Sequence, residues 1–217
     1  MKLYHYWRST SSWRVRWAFE LKNIPVELVH INLVNGESET AEHLARHPAG
    51  FVPALELDDQ TILIESLAII DYLENTFTDS PSLYPEKPVE KAKALALAEI
   101  INSGIHPLQN PPVTAYLGHH FGATTEQQTL WNQNWIRNGL ALYEALLPES
   151  ILKSSTPYSV GSALSIADLC LIPQLYNAHR YNLKLDQFPK IQAIEKHLMT
   201  LESYQQSHPE RTKPVDA

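Results

Sequence analysis

The stretch PALELDDQTILIESLAIIDYLENTF, residues 53–77, changes its hydrophobic period part-way along. Residues 53–57 (PALEL) and 61–64 (TILI) read as two strands, joined by the polar turn Asp58-Asp59-Gln60. From Ser66 the spacing becomes helical, with Leu67, Ile70, Leu73 and Phe77 repeating along one face. A hairpin therefore runs directly into a helix. Upstream, residues 2–6 (KLYHY) and 26–31 (VELVHI) read as strands by alternation and β-propensity. Between them 11–22 reads as a helix through Val15, Ala18, Phe19 and Leu21, and a short helix is expected at 40–46. The order is βαβαββα. A helical crossover makes the first strand pair parallel, and the short turn makes the last pair antiparallel.

Downstream the pattern changes. Segment 78–88 (TDSPSLYPEKP) holds Pro81, Pro85 and Pro88, which lack amide donors and fix φ, so an extended connection is expected. Beyond it every apolar period is helical. Ala94, Leu97, Ala98, Ile101 and Ile105 form one stripe. Trp131, Trp135, Gly139, Leu142 and Leu146 form another, with Ile136, Leu140, Tyr143 and Leu147 in an adjoining row. Ser165 and Asp168 have the spacing of a helix N-terminal capping pair. Ile191, Ile194, Leu198 and Leu201 mark a last helix after Pro189. The fold class expected is α/β followed by all-α: a thioredoxin-like domain over 1–80, a linker at 81–88 and a helical domain over 89–217.

Composition narrows the chemistry. The chain has 217 residues, one cysteine and a formal net charge of −7. A single thiol, Cys170, excludes an internal disulfide and any CxxC site. The acidic balance argues against a nucleic-acid partner. No apolar run approaches the roughly 18 residues of a membrane span, and the N-terminus lacks a signal-peptide core. No membrane association and a cytoplasmic location are expected. The seven glycines include no GxG pair and none followed by lysine, so the common nucleotide-binding loops are absent. His119-His120 reads as a surface pair in a polar loop, and no metal site is expected.

Chemistry concentrates at Arg8-Ser9-Thr10-Ser11-Ser12-Trp13-Arg14-Val15-Arg16. Four consecutive hydroxyls stand between a strand and a helix. Capping needs only one of them; the others are available to an anionic ligand at the helix N-terminus. Residues 1–80 carry 6 Lys plus Arg against 12 Asp plus Glu, yet Arg8, Arg14 and Arg16 cluster here. A basic mouth on an acidic domain suits a small anionic substrate, with Arg8 the leading candidate for a carboxylate. Val52-Pro53 opens a strand beside this segment and suggests a cis bond. Glu65-Ser66 precedes an apolar helix, where Ser66 is expected to cap and the helix N-terminus to hold a carboxylate.

With these residues the chain resembles the glutathione transferases over essentially its whole length, and within them the zeta class, the maleylacetoacetate isomerases. Arg8 to Arg16 matches the class stretch R-S-S-C-x-W/H-R-V-R. Further matches are Val52-Pro53, Glu65 to Ile70, Gly104 to Asn110, Ala167 to Leu171 and Asn177 to Arg180. The resemblance implies a glutathione-dependent cis–trans isomerase converting maleylacetoacetate to fumarylacetoacetate by thiolate addition, bond rotation and elimination. It implies that Ser9 stabilises the thiolate, with Thr10 and Ser11 as auxiliary catalytic residues. Val52 would meet the cysteinyl part of glutathione, and Glu65 and Ser66 its γ-glutamyl end. His106, Gln109 and Asn110 would contact glutathione or substrate, and Arg8 and Arg180 the substrate's acid groups. A homodimer is implied as well.

The chain departs from the class pattern at Thr10 and Ser11, which stand where relatives have serine and cysteine. Glutathione brings its own thiol, so the missing cysteine leaves the chemistry intact. Maleylpyruvate isomerase and a general transferase share such a site. Some bacterial relatives active on maleylpyruvate carry an arginine pair where this chain has Pro111-Pro112. A non-catalytic binding module is the alternative from another class.

Overall fold

Strand β1 (Lys2–His5) buries Leu3, Tyr4 and His5, and its alternation puts Leu3 and His5 on one face and Tyr4 on the other. A computed structural model describes residues 1–214. Val215, Asp216 and Ala217, expected in the helical domain, lie outside the described residues. By its contacts the chain forms two units. One is Met1–Leu83 together with the segment from Thr200, and the other is Tyr84–Met199.

In the first unit, helix α1 (Thr10–Lys22) crosses from β1 to β2 (Glu27–His30), which pair in parallel with Lys2 opposite Glu27. Helix α2 (Ala41–Arg46) follows. Strands β3 (Ala54–Glu56) and β4 (Ile62–Ile64) form the expected hairpin, and β3 runs antiparallel to β1. The sheet order is β2-β1-β3-β4. Cross-strand partners Leu3 and Leu55 are fully buried on one face. Tyr4 and Ala54 join Tyr6, Trp7, Ile31 and Val52 in a second cluster. Helix α3 (Ser66–Thr76) buries Ser66, Ile69, Ile70 and Leu73 and packs against α1. Its core stripe is thus one residue removed from Leu67, which is only half-buried.

Helix α1 is buried almost all round, which one amphipathic stripe does not foresee. Its second side is covered by the end of the chain. Trp13 Nε1 donates to Ser207 Oγ at 3.0 Å, and Trp17 Nε1 donates to Ser203 Oγ at 3.0 Å. Tyr204 packs its ring against both indoles. A buried indole N–H needs such an acceptor. The segment from Thr200 was expected in the helical domain; this packing makes it part of the first unit.

The second unit opens with α4 (Pro88–Glu99), a π-helical turn at 100–105 and α5 (His106–Gln109). Then come α6 (Pro111–Phe121), α7 (Thr125–Leu146), α8 (Ile166–Arg180) and α9 (Pro189–Leu198). Helix α10 (Glu202–Ser207) belongs to the returning segment, and Leu201 is its N-cap residue rather than part of α9. His119 and His120 close α6 instead of lying in a loop, although both are exposed as expected. On α7 the buried row is Asn132, Ile136, Leu140 and Tyr143. Leu142 and Leu146, in the other row, are 51% and 57% exposed.

The start of α8 is built around Asp168. Its carboxylate accepts from Ser159 N at 2.9 Å, Ser159 Oγ at 2.6 Å, Ser165 N at 2.9 Å and Ser165 Oγ at 3.2 Å. The capping reading of Ser165 and Asp168 is therefore the observed one, with both members of the box formed.

Candidate active site

The four hydroxyls after β1 divide into two pairs. Ser9 is the N-cap of α1, and its Oγ accepts from Ser12 N at 3.2 Å. The same Oγ lies 3.0 Å from Ser11 Oγ, which donates to the Val52 carbonyl at 2.9 Å. Ser9 and Ser11 are half-buried, whereas Thr10 and Ser12 are buried. Thr10, expected as an auxiliary, thus lies in the core next to the facing pair.

The three arginines separate as well. Arg14 and Arg16 are buried rather than part of a basic mouth. Arg14 Nη1 donates to Ser66 Oγ at 3.3 Å, tying α1 to the first turn of α3. Arg16 Nη2 donates to the Trp7 carbonyl at 2.9 Å, and its Nη1 donates to the Tyr6 carbonyl at 3.4 Å. These are the last backbone acceptors before Arg8-Ser9, so Arg16 fixes how the chain leaves β1. Arg16 Nη1 also lies 3.1 Å from His5 Nδ1. Guanidinium only donates, so Nδ1 accepts and the imidazole proton sits on Nε2. Burial, then the charges of Arg16 and His30, depress the His5 pKa to about 3.

Arg8 keeps its cation available. It is half-buried, with Cζ 5.5 Å from the Trp7 ring and 5.9 Å from the Tyr6 ring. It makes no ion pair or hydrogen bond among the described residues. Lys213 Nζ stands 5.2 Å from the same Trp7 ring, a second cation that local sequence did not place there.

The Val52-Pro53 bond is cis. Just before it, His43 Nε2 donates to the Phe51 carbonyl at 2.8 Å. A carbonyl only accepts, so this bond assigns the His43 proton to Nε2. It also holds the peptide plane that carries the Val52 N–H at its other end. His43 had no sequence signal beyond its place on a short helix.

Glu65, exposed, has φ 69° and ψ 119°, a conformation seldom adopted by a side-chain-bearing residue. It occupies the N-cap position of α3, and no side chain caps that terminus. The expected capping by Ser66 is therefore not observed. Ser66 is the first helical residue, and its hydroxyl meets Arg14 instead. The first-turn amides of α3 are left open at the N-terminus.

In the second unit Asn110 is the N-cap residue of α6, and its side-chain amide has no partner among the described residues. His106 opens α5 and is half-buried. Trp131 Nε1 donates to the Leu108 carbonyl at 2.7 Å, pinning this segment to α7. Gln109 is buried and forms a reciprocal amide pair with Gln174, at 2.6 and 3.1 Å. Its side-chain amide is thus satisfied by another residue of the helical unit. Arg180 is exposed at the end of α8, and its Nη1 donates to Asn177 Oδ1 at 2.8 Å.

Residues 3–81 match the family described as "Glutathione S-transferase, N-terminal domain". The maleylacetoacetate isomerase of Mus musculus is 42% identical over 99% of this chain and 95% of its own. This chain belongs to the zeta-class glutathione transferases. Its structure resembles that of a bacterial zeta-class transferase, a maleylpyruvate isomerase, with TM-score 0.93 and 34% identity over all of both chains. A maleylacetoacetate isomerase from Methylobacterium extorquens AM1, solved with malonate and glutathione, superposes with TM-score 0.90 at 33% identity over 98% of each chain. The zeta-class transferase fold accordingly carries the observed βαβαββα unit, and no helix among the described residues is long and apolar enough to cross a membrane.

Proposed function

We propose that the protein is a glutathione-dependent isomerase that converts maleylacetoacetate to fumarylacetoacetate. The observation that carries this reading is the half-buried Ser9 hydroxyl at the N-terminus of α1 beside Arg8, an uncommitted cation. It is supported by relatives of that name at 36–42% identity over nearly the full chain.

The first unit fits glutathione. The uncapped first turn of α3, with Ser66, suits the carboxylate of the γ-glutamyl group. The exposed Glu65 carboxylate suits its ammonium, and the Val52 main chain suits the cysteinyl part. Glutathione, when bound, supplies a thiol nucleophile that adds to and leaves an alkene carbon, so that the bond can rotate. The Ser9 hydroxyl would donate a hydrogen bond to the sulfur, and the α1 dipole favours negative charge there. In the first unit the available cation of Arg8 suits a substrate carboxylate. The resemblance implies carboxylate contact for Arg180 also, and contact with glutathione or substrate for His106 and Asn110. Thr10 and Gln109 act through packing.

We also infer a homodimer, as the resemblance implies, and a cytoplasmic location, as expected from the sequence pattern. Maleylpyruvate is the second reading, favoured by the structural neighbour of that activity. Pro111 and Pro112, the first two residues of α6, provide no cation for it, which favours maleylacetoacetate. Turnover of both substrates with and without glutathione tests the assignment. Glutathione-dependent isomerisation that is faster on maleylacetoacetate supports it. Faster maleylpyruvate turnover replaces the substrate, and activity independent of glutathione ends the reading.

A further inference from the structure

Proton counting in the hydroxyl chain gives Ser11 a defined task. A serine hydroxyl has one proton and two lone pairs. Val52 offers a carbonyl oxygen, which only accepts, and Ser11 Oγ stands 2.9 Å from it. The single Ser11 proton is therefore spent on Val52. The 3.0 Å contact between Ser9 Oγ and Ser11 Oγ is geometrically open to either donor. With the Ser11 proton committed, Ser9 must be the donor. Ser9 then gives its only proton to Ser11 while accepting from Ser12 N at 3.2 Å. It retains one lone pair and nothing to donate to a new anion.

We propose that Ser11 is a positioning residue: it holds the Ser9 proton while no thiolate is present and competes with the bound sulfur for that proton. This rests on the glutathione reading above. When the bound thiol ionises, its proton leaves to water and the Ser9 O–H rotates from Ser11 Oγ to the sulfur. No bond in either serine breaks. Ionisation thus costs the Ser9–Ser11 hydrogen bond, and removing Ser11 as an acceptor makes ionisation easier. Substitution by cysteine, a weaker acceptor, moves the balance the same way by a smaller amount. Ser11 also joins the N-terminus of α1 to the Val52 carbonyl, so the state of the Ser9 rotor and the loop before β3 are linked through one side chain.

The test is an ultraviolet titration of the thiolate of glutathione bound to the full-length protein, which does not depend on turnover. Exchanging one hydrogen bond corresponds to roughly a two- to tenfold change in an equilibrium constant. Ser11→Ala is expected to raise the acid-dissociation constant of the bound thiol by about that factor, and Ser11→Cys by less. Ser11→Thr, which keeps the hydroxyl, should titrate as wild type. In a Ser9→Ala background the contested proton is gone, so adding Ser11→Ala should move nothing. A purely structural effect of losing the Val52 contact would persist in that background. An unchanged or weaker thiol acidity in Ser11→Ala overturns the Ser11 role, and so does an equal shift in both backgrounds. If wild type binds and ionises glutathione normally in either case, the functional reading stands. A wild-type protein that never ionises glutathione removes both.

Discussion

Lowering the pH from 7 to 5 is expected to cost the protein about 2 kcal/mol of folding stability through His5 alone. Burial first, then the positive charges of Arg16 and His30, hold the folded-state pKa at about 3. In the unfolded chain an imidazole titrates near ~6.5. The folded value is the lower one, so the unfolded state binds the extra proton. The His5 contribution is fully present above about pH 6.5 and drains away as the pH falls towards the folded value. Between pH 7 and 5 the unfolded imidazole becomes almost fully charged while the folded one stays neutral. The loss over that interval is about 2 kcal/mol for any folded pKa below roughly 4, so it does not hinge on the depth of the depression. Urea denaturation of wild type and His5→Asn at pH 7, 6 and 5 measures it. Asparagine offers Arg16 an acceptor and does not titrate. Groups such as Glu74, held low, and His179, held high by Glu195, titrate in both proteins and cancel in the comparison. Wild type should lose about 2 kcal/mol more than the variant. Parallel curves, within about 0.5 kcal/mol, would refute the neutral, Arg16-bonded imidazole.

Two further outcomes follow from the hydrogen bonds. Asp168→Ala strands the buried amides and hydroxyls of Ser159 and Ser165 and should cost at least about 3 kcal/mol in urea denaturation; Asp168→Asn, which keeps an acceptor oxygen, should cost less. His43→Leu releases the Phe51 carbonyl and the peptide plane of Val52. The KM for glutathione should rise roughly three- to tenfold with kcat largely retained, and His43→Gln should recover most of it.

The α/β half was legible because its period changes. Alternation at residues 2–6 and 53–64 and helical spacing after Ser66 leave one topology. Two apolar rows on α7 were visible too, but period alone does not say which row faces the core. Leu142 and Leu146 turned out exposed, and Ile136, Leu140 and Tyr143 buried. The return of the chain to α1 left no local mark, since Trp13 and Ser207 meet across 194 residues. Charge counting grouped Arg8, Arg14 and Arg16, yet only Arg8 remains accessible. A count does not register that Tyr6, Trp7 and Ser66 offer the other two buried acceptors. The Gly104–Asn110 match marks Gln109 only by resemblance, and its amide partner Gln174, 65 residues away on another helix, has no local signal. For the site itself, the hydroxyl run marked the place, but the proton order among Ser9, Ser11 and Val52 required distances.

The central claim is that the Ser9 hydroxyl at the N-terminus of α1 activates the sulfur of glutathione for isomerisation. Comparing maleylacetoacetate turnover by wild type and Ser9→Ala at saturating glutathione tests it most directly. A fall in kcat of roughly a hundredfold or more, the size found when one donor to a developing anion is removed, is the expected result. Wild-type turnover in Ser9→Ala would contradict it.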